Sequence, residues 1–171
     1  MGKRSNFERN ERDYYVTPYK AVIPLIPFLK RYSTFIEPCA GDGRLINHLE
    51  KNSLYCSQSF DIEPQSDKVE KDDVFNANYV KADYIITNPP WDRKILHPMI
   101  EKFVDIDIPT WLLFDADWAY NVSSSKYLKH VAKIVAIGRV KWIEESKYSG
   151  KDNCCWYLFD KNDGTKFYGR S

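Results

Sequence analysis

The sequence predicts an α/β fold with a mostly parallel sheet and helices on both faces. Residues 34–36 and 83–87 are short, apolar and rich in β-branched side chains, as is typical of strands buried in a sheet. A glycine-rich turn and an apolar pattern of helical period follow the first of these segments. This order is that of a βα unit, in which parallel strands are joined by helices.

Composition limits the possible classes of protein. The chain has 171 residues, which favours one domain with a substantial core. Lys and Arg number 25 against 24 Asp and Glu, so net charge does not by itself predict a nucleic-acid partner. No apolar run reaches the ~20 residues of a membrane span, and the polar first residues do not resemble a signal peptide. We therefore expect a cytoplasmic protein that does not bind membranes.

Cysteine and histidine usage indicates neither a disulfide framework nor a metal site. The four cysteines form no C-x-x-C pair, and the three histidines are scattered. We expect reduced thiols, as is usual in the cytoplasm, and no bound metal.

The N-terminal region has two parts. Residues 1–12 are charged and predict a mobile arm, which is more often a solvated tail than a phosphate contact. Thr17 is expected to cap a helix that begins at Pro18, and Pro24 and Pro27 should keep that helix short or kinked. Its free N–H groups would suit a carboxylate, although an ordinary capped helix is the alternative.

The glycine-rich turn has the sequence Glu37-Pro38-Cys39-Ala40-Gly41-Asp42-Gly43 and precedes a helical pattern over residues 44–51. Its glycines allow a tight turn and a close approach of the backbone to a ligand. It is not a G-x-G-x-x-G motif, and the acids at its ends would repel a pyrophosphate. They would accept a cation or hydroxyl groups, which points to S-adenosylmethionine, a ligand with an ammonium and a sulfonium.

Further acids follow at spacings that suit the same ligand. Asp61 lies ~20 residues beyond the glycine turn, where an acid usually accepts ribose hydroxyls. Ile62 is suited to lie against an adenine face, and Asp73 to accept from the adenine amine. Each acid alone is more often a solvated surface charge, so the inference depends on their order and spacing.

The segment Asn88-Pro89-Pro90-Trp91 ends the predicted strand at residues 83–87. Two prolines cannot continue a strand, so the chain must turn stiffly at the sheet edge. The Asn88 oxygen and the carbonyls around Pro89 are then fixed acceptors beside an aromatic ring. This combination suits a planar group with an NH2, although a plain loop breaker is the alternative.

Together these motifs resemble the S-adenosylmethionine-dependent amino-methyltransferases, and most closely the small phage-type DNA N6-adenine methyltransferases. The resemblance covers nearly the whole chain. Tyr15-Val16-Thr17-Pro18 is similar to the family's N-terminal cofactor motif, the turn at residues 37–43 to its glycine motif, and Asn88-Pro89-Pro90-Trp91 to its catalytic motif. This order is that of one adenine-methylating subclass, whereas Asn-Pro-Pro-aromatic alone also occurs in rRNA and protein-glutamine methyltransferases.

The resemblance implies a role for each matched residue. The residues that it implies for S-adenosylmethionine are Tyr15, Thr17, Pro18, Glu37, Pro38, Ala40, Gly41, Asp42, Gly43, Asp61, Ile62, Asp73 and Asn88. Those that it implies for catalysis are Asn88, Pro89, Pro90 and Trp91. The substrate residues that we expect are Trp91, Lys94, Arg139, Lys141 and Asn153, of which the last three belong to segments resembling the family's closing hairpin.

The implied fold is the Rossmann-like class I methyltransferase fold, with a seven-stranded, mostly parallel sheet and an antiparallel last strand. We expect helices at residues 95–104 and 120–130. Strands are expected at residues 111–114, 132–142 and 154–159, with a polar turn at 146–153.

Residues 13–171 are then expected to form a single catalytic domain without a separate recognition domain. The loops at 92–94, 115–126 and 144–151 are short, so we expect short or relaxed sequence recognition, or recognition supplied by a homodimer or a partner subunit. The alternatives are the same methyl transfer to RNA or a protein glutamine, and a non-catalytic subunit that binds cofactor or nucleic acid. The lack of a histidine near Asn88 agrees with catalysis by positioning.

Overall fold

The computed structural model describes residues 15–143, 147 and 149–170. The predicted arm at residues 1–12 and part of the predicted turn at 146–153 lie outside the described residues. The helices are α1 (Tyr19–Val22), α2 (Arg44–Glu50), α3 (Arg93–Ile106) and α4 (Ser125–Leu128). The strands are β1 (Thr34–Glu37), β2 (Tyr55–Asp61), β3 (Glu70–Lys71), β4 (Tyr84–Thr87), β5 (Thr110–Asp115), β6 (Val131–Arg139), β7 (Asn153–Phe159) and β8 (Lys166–Tyr168).

The strands form one sheet in the order β3-β2-β1-β4-β5-β7-β6-β8. All neighbouring pairs are parallel except those of β7, which is antiparallel to both β5 and β6. The predicted mostly parallel sheet is confirmed, but the predicted count of seven strands is wrong because the described residues alone form eight. The antiparallel strand is also not the last one, since β8 follows it and pairs with β6. The sequence did not reveal β8 because a three-residue strand is too short to show a period of two.

Helices cover both faces of the sheet, as predicted. Successive residues of a strand point to opposite faces, and Phe35 and Ile36 accordingly belong to two different apolar clusters. Leu45 and Leu49 of α2 pack in the Phe35 cluster. Met99 of α3 packs in the Ile36 cluster, so the sheet is buried between two helical layers.

Two predicted helices differ from the observed chain. Thr17 does not cap α1: Pro18 occupies the cap position, and no side chain there bonds to the helix. The prolines limit α1 to four residues, after which Ile23–Phe28 forms a 3-10 helix with Pro27 inside it. This confirms the expectation of a short helix.

The helix expected at residues 120–130 is broken into shorter pieces. Ala116–Tyr120 and Val122–Ser124 are 3-10 turns, and only α4 is α-helical. Asn121 is extended, with φ −90° and ψ 140°, so one continuous helix cannot pass through it.

The topology brings the strand ends that carry the predicted motifs to one edge of the sheet. β1, β2, β4 and β5 are parallel, and their carboxyl ends therefore meet at the same edge. β6 has the same direction as β5 because the antiparallel β7 lies between them. The start of β7 and the end of β6 thus join this edge, which is the usual ligand-binding edge of an open α/β sheet. Among the described residues, no helix is long and apolar enough to cross a membrane.

Candidate active site

The glycine turn between β1 and α2 is tightly folded and fastened to β2. Gly41 and Gly43 have φ values of 53° and 80°, in the left-handed region that favours glycine. The Gly43 amide donates to the Ala40 carbonyl at 2.7 Å, and the Ala40 amide donates to the Phe60 carbonyl at 3.0 Å. The turn therefore has a fixed shape next to the end of β2.

Three carboxylates surround this turn, and Glu37 is the most deeply buried. Its side chain ends β1 at 2% exposure, and its Oε2 atom has no hydrogen-bond partner among the described residues. Burial, reinforced by the charges of Asp61 and Asp42, raises the pKa of Glu37 well above its ordinary value. A buried acceptor without a donor, in a field of negative charge, is suited to a cationic group.

Asp61 and Asp42 are more fully engaged. The Oδ2 atom of Asp61 accepts the Gly41 amide at 2.9 Å, and its Oδ1 atom accepts the Glu63 amide at 2.8 Å. Asp42 accepts the Arg44 amide at 2.9 Å and forms an ion pair with the Arg44 guanidinium at 3.3 Å. Asp61 thus holds the glycine turn and keeps further lone pairs for a ligand, whereas the charge of Asp42 is partly balanced.

Ile62 and Asp73 lie beyond the end of β2. Ile62 is 56% exposed and presents an apolar surface beside Asp61. The Asp72 amide donates to the Asp61 carbonyl at 3.1 Å, which brings the Asp72–Asp73 segment to the same strand end. Asp73 already accepts the Phe75 amide at 2.9 Å, so only its remaining lone pairs are open to a ligand.

Asn88 connects the N-terminal motif to the end of β4. Its Nδ2 atom donates to the Tyr15 carbonyl and to the Thr17 hydroxyl, both at 3.3 Å, and its Oδ1 atom accepts the Trp91 indole N–H at 3.3 Å. A backbone carbonyl can only accept and an indole N–H can only donate, so these partners fix the orientation of the amide. Thr17 therefore orients Asn88 and does not cap a helix.

Trp91 belongs to an aromatic cluster at the rim of the site. Its indole N–H is shared between Asn88 Oδ1 and the Leu113 carbonyl, which lies at 3.2 Å. The rings of Trp91 and Trp142 meet edge to face at 5.6 Å, and Tyr15 lies 6.2 Å from Trp142. At 3.2 and 3.3 Å, the two bonds of the Trp91 N–H are longer than the usual N–H···O distance of about 2.9–3.0 Å.

The expected substrate residues are exposed side chains at the same edge. Arg139 and Asn153 face each other across the β6–β7 ladder. Lys141 follows the end of β6, and Lys94 lies in the first turn of α3, where Asp92 accepts its amide at 2.9 Å. All four are exposed to solvent. Trp142 was not among the predicted site residues, although its place as the last residue of the predicted strand 132–142 was the available signal.

The four cysteines are poorly suited to act as catalytic nucleophiles. Burial raises the pKa of all four cysteines, including that of Cys56 to about 12 and that of Cys155 to about 11. They therefore stay protonated at neutral pH and are poor nucleophiles. Within the described residues, no group of three or more His, Cys, Asp or Glu side chains is arranged to hold a metal ion.

Comparison with known proteins finds solved structures of similar fold but no similar sequence. No protein-family model matches the sequence, and no curated protein sequence matches it either. A protein of Pyrococcus horikoshii provisionally assigned as an RNA methyltransferase has a similar structure, with a TM-score of 0.64 and 14% identity over 94% of this chain and 92% of its own.

Two further structures have different assigned activities. A type I restriction-modification system methyltransferase subunit from Streptococcus thermophilus matches 91% of this chain with a TM-score of 0.60 and 10% identity, and the match spans 47% of that subunit. A dimethyladenosine transferase from Plasmodium falciparum also has a similar structure, with a TM-score of 0.54 and 17% identity. The match covers 83% of this chain and 60% of that enzyme. At these identities the likeness concerns the fold alone. The fold is the Rossmann-like class I methyltransferase fold, as the sequence predicted.

Proposed function

We propose that this protein transfers a methyl group from S-adenosylmethionine to the N6 amine of adenine in DNA. The observation that carries the proposal is the fixed amide of Asn88, which lies at the end of β4 on the edge that also holds the acidic pocket. Methyltransferases are also prominent among proteins of similar fold.

The residues around the glycine turn fit S-adenosylmethionine. Glu37 offers a buried, unpartnered carboxylate oxygen to its cationic groups. Asp61 is available to its ribose hydroxyls, and Ile62 and Asp73 to its adenine. The same acids disfavour a pyrophosphate, which argues against a nicotinamide dinucleotide. When bound, S-adenosylmethionine supplies a methyl group activated by the sulfonium.

The Asn88-Pro89-Pro90-Trp91 loop supplies acceptors for an amine. One lone pair of Asn88 Oδ1 accepts Trp91, and the second is open to an N–H of the substrate. The Pro89 carbonyl provides another acceptor, and the face of the Trp91 ring provides a stacking surface while its in-plane N–H bonds are kept. Holding the amine in this way contributes through positioning, and its proton can leave after methyl transfer without a strong base.

DNA is favoured as the acceptor by the order of the motifs, which resembles that of adenine-specific DNA enzymes. The likeness to a provisionally assigned RNA methyltransferase keeps RNA as a second candidate. In this proposal residues 13–171 act as one domain in the cytoplasm, or in the host cytoplasm if the protein is encoded by a phage. A second copy or a partner subunit would then extend sequence recognition.

The test is to identify the methylated product. Unmethylated DNA, RNA and a protein extract are incubated separately with the protein and S-adenosylmethionine, then digested and analysed by mass spectrometry. The proposal predicts N6-methyladenine in DNA. Methylation confined to RNA or to glutamine would contradict the DNA assignment, and cofactor binding without any methyl transfer would indicate a non-catalytic subunit.

A further inference from the structure

The segment of residues 116–124, here named the β5 loop, presents two apolar side chains to solvent at the catalytic edge. Tyr120 is 87% exposed and Val122 is 91% exposed. Among the described residues, no other large apolar side chain is as exposed as these two. Single exposed apolar residues are common on protein surfaces, but two on one loop at the proposed catalytic edge favour a contact with a partner.

The β5 loop is held rigidly. Asp115 accepts the Asp117 amide at 2.9 Å, and the Asn121 side chain donates to the Asp117 carbonyl at 2.7 Å. Trp118 is buried beneath the loop, and its indole N–H donates to His97 at 3.0 Å. Tyr120 and Val122 are therefore displayed on an anchored support, and little backbone entropy would be lost on binding.

Sheet register places this loop beside the catalytic loop. Thr87 of β4 is paired with Leu112 of β5. The two strands therefore end within a few residues of each other at this edge of the sheet. The Arg93 guanidinium donates to the Ser123 hydroxyl at 3.3 Å, which joins the β5 loop to the first turn of α3. Tyr120 and Val122 therefore belong to a loop that lies next to the loop carrying Asn88.

We infer that the β5 loop is a wedge that enters duplex DNA beside the flipped adenine, with Tyr120 stacking on an adjacent base and Val122 filling the vacated space. This inference rests on the proposed function, because a base inside a duplex must leave the stack to be modified. Apolar wedges between base steps are a general means of opening a duplex, and aromatic rings stack on any base.

Positive and negative side chains near the β5 loop nearly balance. Stacking, and not charge, should therefore provide most of the contact with DNA. Arg93 and Lys94 are exposed and suited to phosphates. Asp92 and Asp117 lie in the same region, and the Asp92 carboxylate is occupied as the cap of α3. A wedge that stacks, with two flanking cations, fits a duplex better than a strongly charged partner.

The test compares duplex and single-stranded DNA of the same sequence as methyl acceptors. We expect Tyr120→Ala/Val122→Ala to lower kcat/KM on duplex DNA about 10- to 100-fold, or about 1.4 to 2.8 kcal/mol. Activity on single-stranded DNA should change less than about threefold, because no stack must be opened. Tyr120→Phe should keep most of the duplex activity, since the ring is retained. Tyr55→Ala serves as the matched control, because Tyr55 is 54% exposed at the opposite edge of the sheet.

Duplex opening is followed separately by the fluorescence of 2-aminopurine placed at the target adenine. The wild type should increase this fluorescence and the double variant should not. Equal losses on both kinds of DNA, no loss on either, or a wild type active only on single strands would each overturn the inference. If the wild type methylates no DNA at all, the proposed function fails, and the inference fails with it.

Discussion

Replacing Glu37 with glutamine tests the acidic pocket through two separate effects. The wild-type carboxyl is buried and has a raised pKa, and its Oε2 atom lacks a hydrogen-bond partner among the described residues. Glutamine keeps the shape of the side chain but removes its charge. We therefore expect the pH dependence of stability and the affinity for S-adenosylmethionine both to change.

The effect on stability follows from the direction of the pKa shift. Between the ordinary value of 4.5 and the raised value in the fold, Glu37 is protonated in the folded protein and ionised in the unfolded chain. Because the folded state then holds the extra proton, the free energy of unfolding falls as pH rises, by about 1.4 kcal/mol per pH unit. Glu37→Gln lacks this contribution, so its stability relative to the wild type should increase with pH across that window.

Glu37→Gln should weaken the binding of the cofactor, although it should gain stability relative to the wild type as pH rises. A hydrogen bond to a charged group is worth about 1.5–3 kcal/mol. Glu37→Gln should therefore lower the affinity for S-adenosylmethionine about 10- to 150-fold. Binding of a cation also favours the ionised carboxylate. The wild type should therefore release a proton on binding within the same pH window, and the variant should not.

Both effects can be measured directly. Denaturant unfolding across a pH series gives the stability difference, and calorimetry in two buffers of different ionisation enthalpy gives the affinity and the released proton. Glu50→Gln, a change at an exposed acid of α2, is the control. If Glu37→Gln bound S-adenosylmethionine as tightly as the wild type and released the same proton, Glu37 would not contact the cofactor.

Three further variants test the supports of the site and its surface. Asp61→Ala removes the acceptor of the Gly41 and Glu63 amides, so denaturant unfolding should show a loss of about 1–3 kcal/mol, and calorimetry a weaker affinity for S-adenosylmethionine. Gly43→Ala should cost about 1–2 kcal/mol in thermal unfolding because φ is 80°, although the nearest atom, on Val69, lies 3.9 Å from the added methyl. Lys94→Ala should lower the slope of log DNA affinity against log salt by about 1, as measured by fluorescence anisotropy. Lys129→Ala, a change at another exposed lysine, should leave this slope unchanged.

The parts of the site that the sequence predicted are those fixed by strand order. Glu37 and Asn88 each follow a strand that the sequence predicts, Asp61 was placed by its spacing from the glycine turn, and parallel strands bring their carboxyl ends together. Three distant sequence positions therefore meet at one edge, and their convergence follows from local patterns alone. The glycines of the turn were predictable for a similar reason, because their backbone conformation is a local property.

The parts that the sequence did not predict depend on tertiary contacts. Thr17 has the local features of a helix cap, yet its hydroxyl accepts from Asn88, 71 positions further along the chain. Trp142 joins the site only because the end of β6 lies beside the catalytic loop. Such pairings depend on sheet register and side-chain packing, which no local period encodes. The short β8 was missed because three residues carry too little pattern.

The central claim is that the Asn88 amide holds an adenine amine for methyl transfer. Its most direct test is N6-methyladenine formation in DNA by Asn88→Ala, measured by nucleoside mass spectrometry beside calorimetric binding of S-adenosylmethionine. Asn78→Ala, at an exposed site, is the control. We expect Asn88→Ala to lose methyl transfer by at least about 100-fold, whereas its affinity for S-adenosylmethionine should fall far less. Full activity in Asn88→Ala would contradict the assigned mechanism.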